Sequence, residues 1–174
     1  MKFEFIILFL LFISCSNNDT IKENKEHLKE SNWSSAHSED FNKEIHVREE
    51  LDIRIYLEHH KDLSMSQTDS GLRYLILPGK YTHTATAREG EVVTLDIQTT
   101  VLKTGEICYE ADTTFILGRS DILSGLQEGV KLMRKDDKAR FILPSYLGEG
   151  LLGKGSIPPQ SVLIIDAKLL NIQS

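Results

Sequence analysis

A basic cluster is the first thing missing from this chain. Its 20 Lys and Arg stand against 26 Asp and Glu among 174 residues, for a formal charge of -6. That balance argues against nucleic-acid binding and otherwise speaks mainly to solubility. Long apolar runs are missing too, since Phe5 to Ile13 is too short to span a bilayer comfortably. There is no internal repeat, no Gly-Xaa-Ser-Xaa-Gly elbow and no phosphate-binding loop. Gly148-Glu149-Gly150 and Gly153-Lys154-Gly155 do not lead from a strand into a helix, so they read as a flexible loop. The histidines are His27, His37, His46, His59, His60 and His83. Adjacent His59 and His60 cannot face each other on a helix, and no set converges at zinc-ligand spacing. No metal and no cofactor are expected.

Cysteine is scarce, with only Cys15 and Cys108. Lys2 precedes the Phe5–Ile13 run, which ends at Ser14-Cys15 and suits a secretory signal over residues 1–14. A cysteine directly after a small residue at that point resembles a bacterial lipoprotein signal. The resemblance implies cleavage before Cys15, its acylation, and a membrane anchor in the cell envelope. Ser16 rather than Asp after it favours the outer membrane, facing the periplasm. Several acyl chains would hold stably where one would not. Cys108 then has no intramolecular partner, which excludes a disulfide, and it reads as a small buried hydrophobe.

Residues 15–42 are polar and read as a flexible tether carrying the only tryptophan, Trp33. Residues 43–70 hold an amphipathic helix and a linker. Between Glu44 and Lys61, Val47, Leu51 and Ile55 recur at helical spacing, widened by Ile53 and Leu57. This stripe suits either a dimerisation helix or packing against its own domain, and we favour the second.

Residues 71–174 read as the main domain. Gly71 to Leu77 predicts a strand closed by Pro78-Gly79, and Lys80 to Arg88 a Thr-rich loop. Glu91 to Leu102 predicts a long strand, Thr104-Gly105 a turn, and Ile107–Tyr109 and Thr113–Leu117 two short strands. Ser124 and Gln127 have capping-box spacing before a helix that shows Leu126, Val130 and Met133 on one face. Ala139–Leu143 and Val162–Leu170 predict two more strands. The pattern is α+β: an antiparallel sheet with one short helix packed on it.

Gly118, the Gly125, Glu128-Gly129 and Met133 spacing, Pro144, Ile157-Pro158-Pro159 and Leu169-Leu170 follow in fixed order. From about Gly90 onward this order resembles an FKBP-type peptidyl-prolyl isomerase domain. With Gly105 to Tyr109 and the acylated tail, it looks most like the gliding-motility-associated isomerase lipoproteins. The resemblance implies an FKBP-like sheet wrapped on the short helix, and rotation of X-Pro bonds in proline-containing polypeptide clients. It also implies a site: Tyr109, Ile122, Leu123, Leu126 and Ile157 as catalytic-pocket residues, with Ile97, Tyr146 and Ile165 lining the pocket. Leu126 stands where the family places a pocket-floor Trp, Ile97 and Ile165 where it places Tyr and Phe. Cys108-Tyr109, or Tyr109-Glu110 in a register shifted by one, falls at its Phe-Asp pair, and Gly148 at its loop Tyr. Core packing is an alternative role for Leu126, Ile97 and Ile165, and a structural one for Tyr146. A non-catalytic peptide- or protein-binding module is the alternative function.

Overall fold

Aliphatic and polar residues alternate along β3 (Val92–Val101), so Val93, Leu95, Ile97 and Val101 enter the core while Asp96 and Gln98 face away. The computed structural model describes residues 35–80 and 83–173. In it, β3 pairs with β4 (Ile107–Ile116) on one side and β6 (Leu163–Gln173) on the other. Next to β6 comes β5 (Lys138–Leu143), then β2 (Arg73–Leu77), and the two-residue β1 (Ser66–Gln67) closes the edge. All pairings are antiparallel, in the order β1-β2-β5-β6-β3-β4. The fold is the expected α+β arrangement.

The two faces of this sheet are covered by different helices. Phe141, Leu143, Leu163 and Ile165 point inward to a core shared with Leu126, Val130 and Met133. The first two of these belong to α2 (Ser124–Val130), and Met133 follows it in a turn. A Cβ on Gly129 would stand 2.5 Å from the Phe141 ring, and one on Gly125 would stand 2.8 Å from Leu143. These two glycines let α2 press directly onto β5. The alternate residues Ile142 and Ile164 point to the other face, where they meet Ile53 of α1 (Ser35–His59).

Three local expectations are corrected. First, α1 starts at Ser35, within the stretch read as tether, and it docks through Ile53 and Leu57, which widen the expected stripe, and not through the centre of that stripe. Ile45 and Ile53 are 4% and 0% exposed, whereas Val47, Leu51 and Ile55 are 61%, 48% and 45% exposed. Glu49, one turn from each buried isoleucine, belongs to the docked face and hides it from a hydrophobicity count. Second, the two short strands after Gly105 are one continuous β4, because the polar residues between them pair with β3. Third, Ser124 and Gln127 form no capping box. Leu123 occupies the N-cap without a side-chain bond, and the Ser124 and Gln127 side chains are engaged elsewhere. No helix among the described residues is long and apolar enough to cross a membrane. The signal segment, Cys15 and Trp33 lie outside the described residues.

Candidate functional site

A pocket of about 360 Å³ opens between β3, β4, the start of α2 and the glycine-rich loop. Its floor is aliphatic. Ile97 comes from β3, Ile122 and Leu123 from the turn before α2, Leu126 from α2 itself, and Ile157 from the loop. Gln127 holds that turn in place: its Oε1 accepts from Gly118 N at 2.8 Å, and its Nε2 donates to Ile122 O at 3.0 Å and to Ser120 O at 3.3 Å. The polar side chain expected to cap the helix thus shapes the pocket rim instead. Ser124 Oγ donates to Leu147 O at 3.3 Å, tying α2 to the 3-10 turn Ser145–Leu147 that begins the loop.

The opposite wall is joined through Cys108, which is half-buried rather than buried. Ser156 Oγ donates to Cys108 O at 2.9 Å, and Cys108 Sγ contacts Ser156 O at 3.5 Å. Lys154 and Ile157 form a small bridge, with backbone bonds of 3.0 Å in each direction. These contacts fold the loop back against β4. At the mouth, the Tyr109 and Thr113 hydroxyls are 2.7 Å apart. Asp121, Glu149 and Lys154 supply the charged part of the lining.

Six of the residues singled out from sequence meet in this pocket: Ile97, Tyr109, Ile122, Leu123, Leu126 and Ile157. Ile97 and Leu126 serve the core as well, so core packing and pocket lining are one role here. Ile165 is fully buried in the core and does not line the pocket. Tyr146 does not line it either. Its hydroxyl donates to Ser70 O at 2.9 Å, and its ring lies 5.6 Å from His46 of α1. Partial burial, then the carboxylates of Glu49, Glu50 and Glu128, raise its pKa, with Arg73 opposing. Gly148 is absent from the lining, while the next residue, Glu149, contributes to it.

Sequence reasoning missed Thr99, Thr113, Asp121, Glu149, Lys154 and Ser156. Thr99 had a readable signal, since it shares the inward parity of Ile97 and Val101 on β3. The loop residues had none, because nothing local says which way an irregular segment folds. A further contact reaches in from α1. Buried Glu49 accepts through Oε2 from Ser145 N at 3.1 Å, at the head of the 3-10 turn. No group of three or more His, Cys, Asp or Glu able to hold a metal occurs among the described residues. The site offers an apolar floor, hydroxyls and a charged rim, suited to enclosing a small ring and bonding a peptide.

A family model described as FKBP-type peptidyl-prolyl cis-trans isomerase matches residues 83–170, which contain the whole pocket. The chain is 30% identical over 131 residues to the FKBP-type isomerase FkpA of Buchnera aphidicola subsp. Schizaphis graminum, covering 70% of this chain and 49% of that one. It is 43% identical over 60 residues to human FKBP14, covering 34% and 28%. It therefore spans about half, or less, of the length of these curated relatives. The crystal structure of FkpA from Escherichia coli superposes with a TM-score of 0.63 at 22% identity, covering 78% of this chain and 64% of that one.

Proposed function

This chain belongs to the FKBP-type peptidyl-prolyl cis-trans isomerase family, and from that premise we propose that it accelerates rotation about X-Pro bonds in proline-containing clients. The observation that carries this reading is the convergence of Ile97, Ile122, Leu123, Leu126 and Ile157 on one pocket inside the family-matched segment. The peptide C–N bond resists rotation with a barrier of about 18–20 kcal/mol. Unaided X-Pro exchange takes tens to hundreds of seconds. A pocket that holds the proline ring and favours the twisted amide speeds exchange about tenfold for each ~1.4 kcal/mol of preference. Such catalysis draws on shape and desolvation, with no nucleophile, metal or cofactor in the step.

The aliphatic floor favours a second reading, a peptide-binding module. Leu126, Ile97 and Ile157 preserve hydrophobicity without the flat rigid face of an aromatic ring. A proline-limited refolding assay with the whole chain separates the two. Acceleration at micromolar protein is expected. Peptide binding without acceleration, from protein shown to be folded, would assign the binding-module role instead.

The envelope is the proposed place of work. Similarity to FkpA relatives of bacteria supports an extracytoplasmic location. The Phe5–Ile13 run before Ser14-Cys15 supports a lipid anchor at Cys15, with the outer membrane and a gliding-motility-type lipoprotein as the finer reading. Tyr109 is the residue we assign to orienting the client chain, a role supported by its position in the pocket lining.

A further inference from the structure

We propose that the Thr99 hydroxyl is a hydrogen-bond donor to a backbone carbonyl of the bound X-Pro segment. This rests on the pocket being the site where that segment binds. Thr99 lies on β3 between the inward-facing Ile97 and Val101, is 4% exposed and lines the pocket. Among the described residues its side chain makes no hydrogen bond to protein. The enclosed side-chain polar atoms without a partner are Glu49 Oε1 and Arg73 Nε. The Thr99 oxygen, equally unpartnered but not enclosed, therefore keeps contact with open space, and the open space at Thr99 is the pocket.

The other uncharged polar side chains of the lining are engaged. Tyr109 and Thr113 bond each other, while Ser156 and Cys108 bond each other's carbonyls. Thr99 is the uncommitted hydroxyl of the set. Packing alone would place valine at such a position, which has the same branched shape and no polar group to desolvate. The X-Pro imide is matched to a donor, because proline has no N–H and the linkage offers only carbonyl acceptors. A donor set in an apolar floor would both hold the segment and fix its register.

The test compares Thr99→Val, Thr99→Ser and the unaltered chain. It uses isomerisation of a succinyl-Ala-Leu-Pro-Phe anilide, binding of the same peptide by NMR titration, and thermal melts. Thr99→Val should melt at or above the unaltered temperature, yet lose about 5- to 100-fold in kcat/KM, the range expected when the client carbonyl is enclosed without its donor. Thr99→Ser should recover most of that loss. A purely structural role predicts the reverse pattern, with stability and activity falling together. Should Thr99→Val fail to fold, Thr99→Ser against Thr99→Ala carries the same comparison. If the unaltered chain binds without catalysing, the isomerase reading falls and the affinity change decides Thr99. Unchanged kcat/KM and affinity in Thr99→Val would overturn the proposal alone. No binding and no catalysis in the unaltered chain would overturn both.

Discussion

Tyr146 ties the turn after β5 to the segment before β2, through its bond to Ser70 O. Its raised pKa makes that tie sensitive to alkali. Below about pH 10 the phenol is neutral in both folded and unfolded chains, so its contribution to stability is constant. Above that, the unfolded chain ionises first, and stability falls until the folded-state pKa is passed. Tyr146→Phe should lose about 1 kcal/mol at neutral pH, for one hydrogen bond. It should also flatten the decline above about pH 10 relative to the unaltered chain. Melts across that range read both effects, and equal alkaline declines would show that Tyr146 is not the group responsible. At the same scale, Glu49 shows why a buried face can escape notice. Its carboxylate serves Ser145 N, so a charged residue occupies a position that docks.

Helix α1 places the same problem at the scale of an element. Periodicity predicted a helix correctly, but the segment carries two apolar sets, Val47-Leu51-Ile55 and Ile45-Ile53. Helical spacing fits either set. Only the sheet face presented by Ile142 and Ile164 decides that Ile53 is buried. Ile53→Ala should cost about 2–5 kcal/mol in urea unfolding, as expected for a fully enclosed aliphatic side chain. Leu51→Ala should stay within about 0.5 kcal/mol. Similar costs at the two positions would contradict this docking. The α2 start is a parallel case. Ser124 and Gln127 have the spacing of a cap, yet Leu147 O and Gly118 N lie close enough to recruit them. A motif of two polar residues carries no information about competing partners brought near by the fold.

For the whole molecule, the ordered glycines, the closing strand and the short helix were legible because each reports a backbone need within a few residues. The pocket was legible in part. Ile122, Leu123, Leu126 and Ile157 could be placed from motif order, whereas Asp121, Glu149 and Lys154 could not, since loop path is a tertiary outcome. The proposed anchor also belongs to this scale. Cys15→Ala should abolish acyl labelling of the expressed chain and leave it uncleaved or soluble, while folding of the pocket domain is unchanged. Continued labelling of that variant would refute lipidation at Cys15.

By itself, the sequence determined most of the strands and both helices, but not where α1 begins, the edge strand β1 or the continuity of β4. Side-chain parity, turn glycines and apolar spacing act locally and need no partner to be read. Tertiary structure alone decided the strand order β1-β2-β5-β6-β3-β4, the face on which α1 rests, and the pocket that Thr99 lines. Those outcomes depend on contacts between residues far apart in the chain. There, burial selects among several local arrangements that are each acceptable alone.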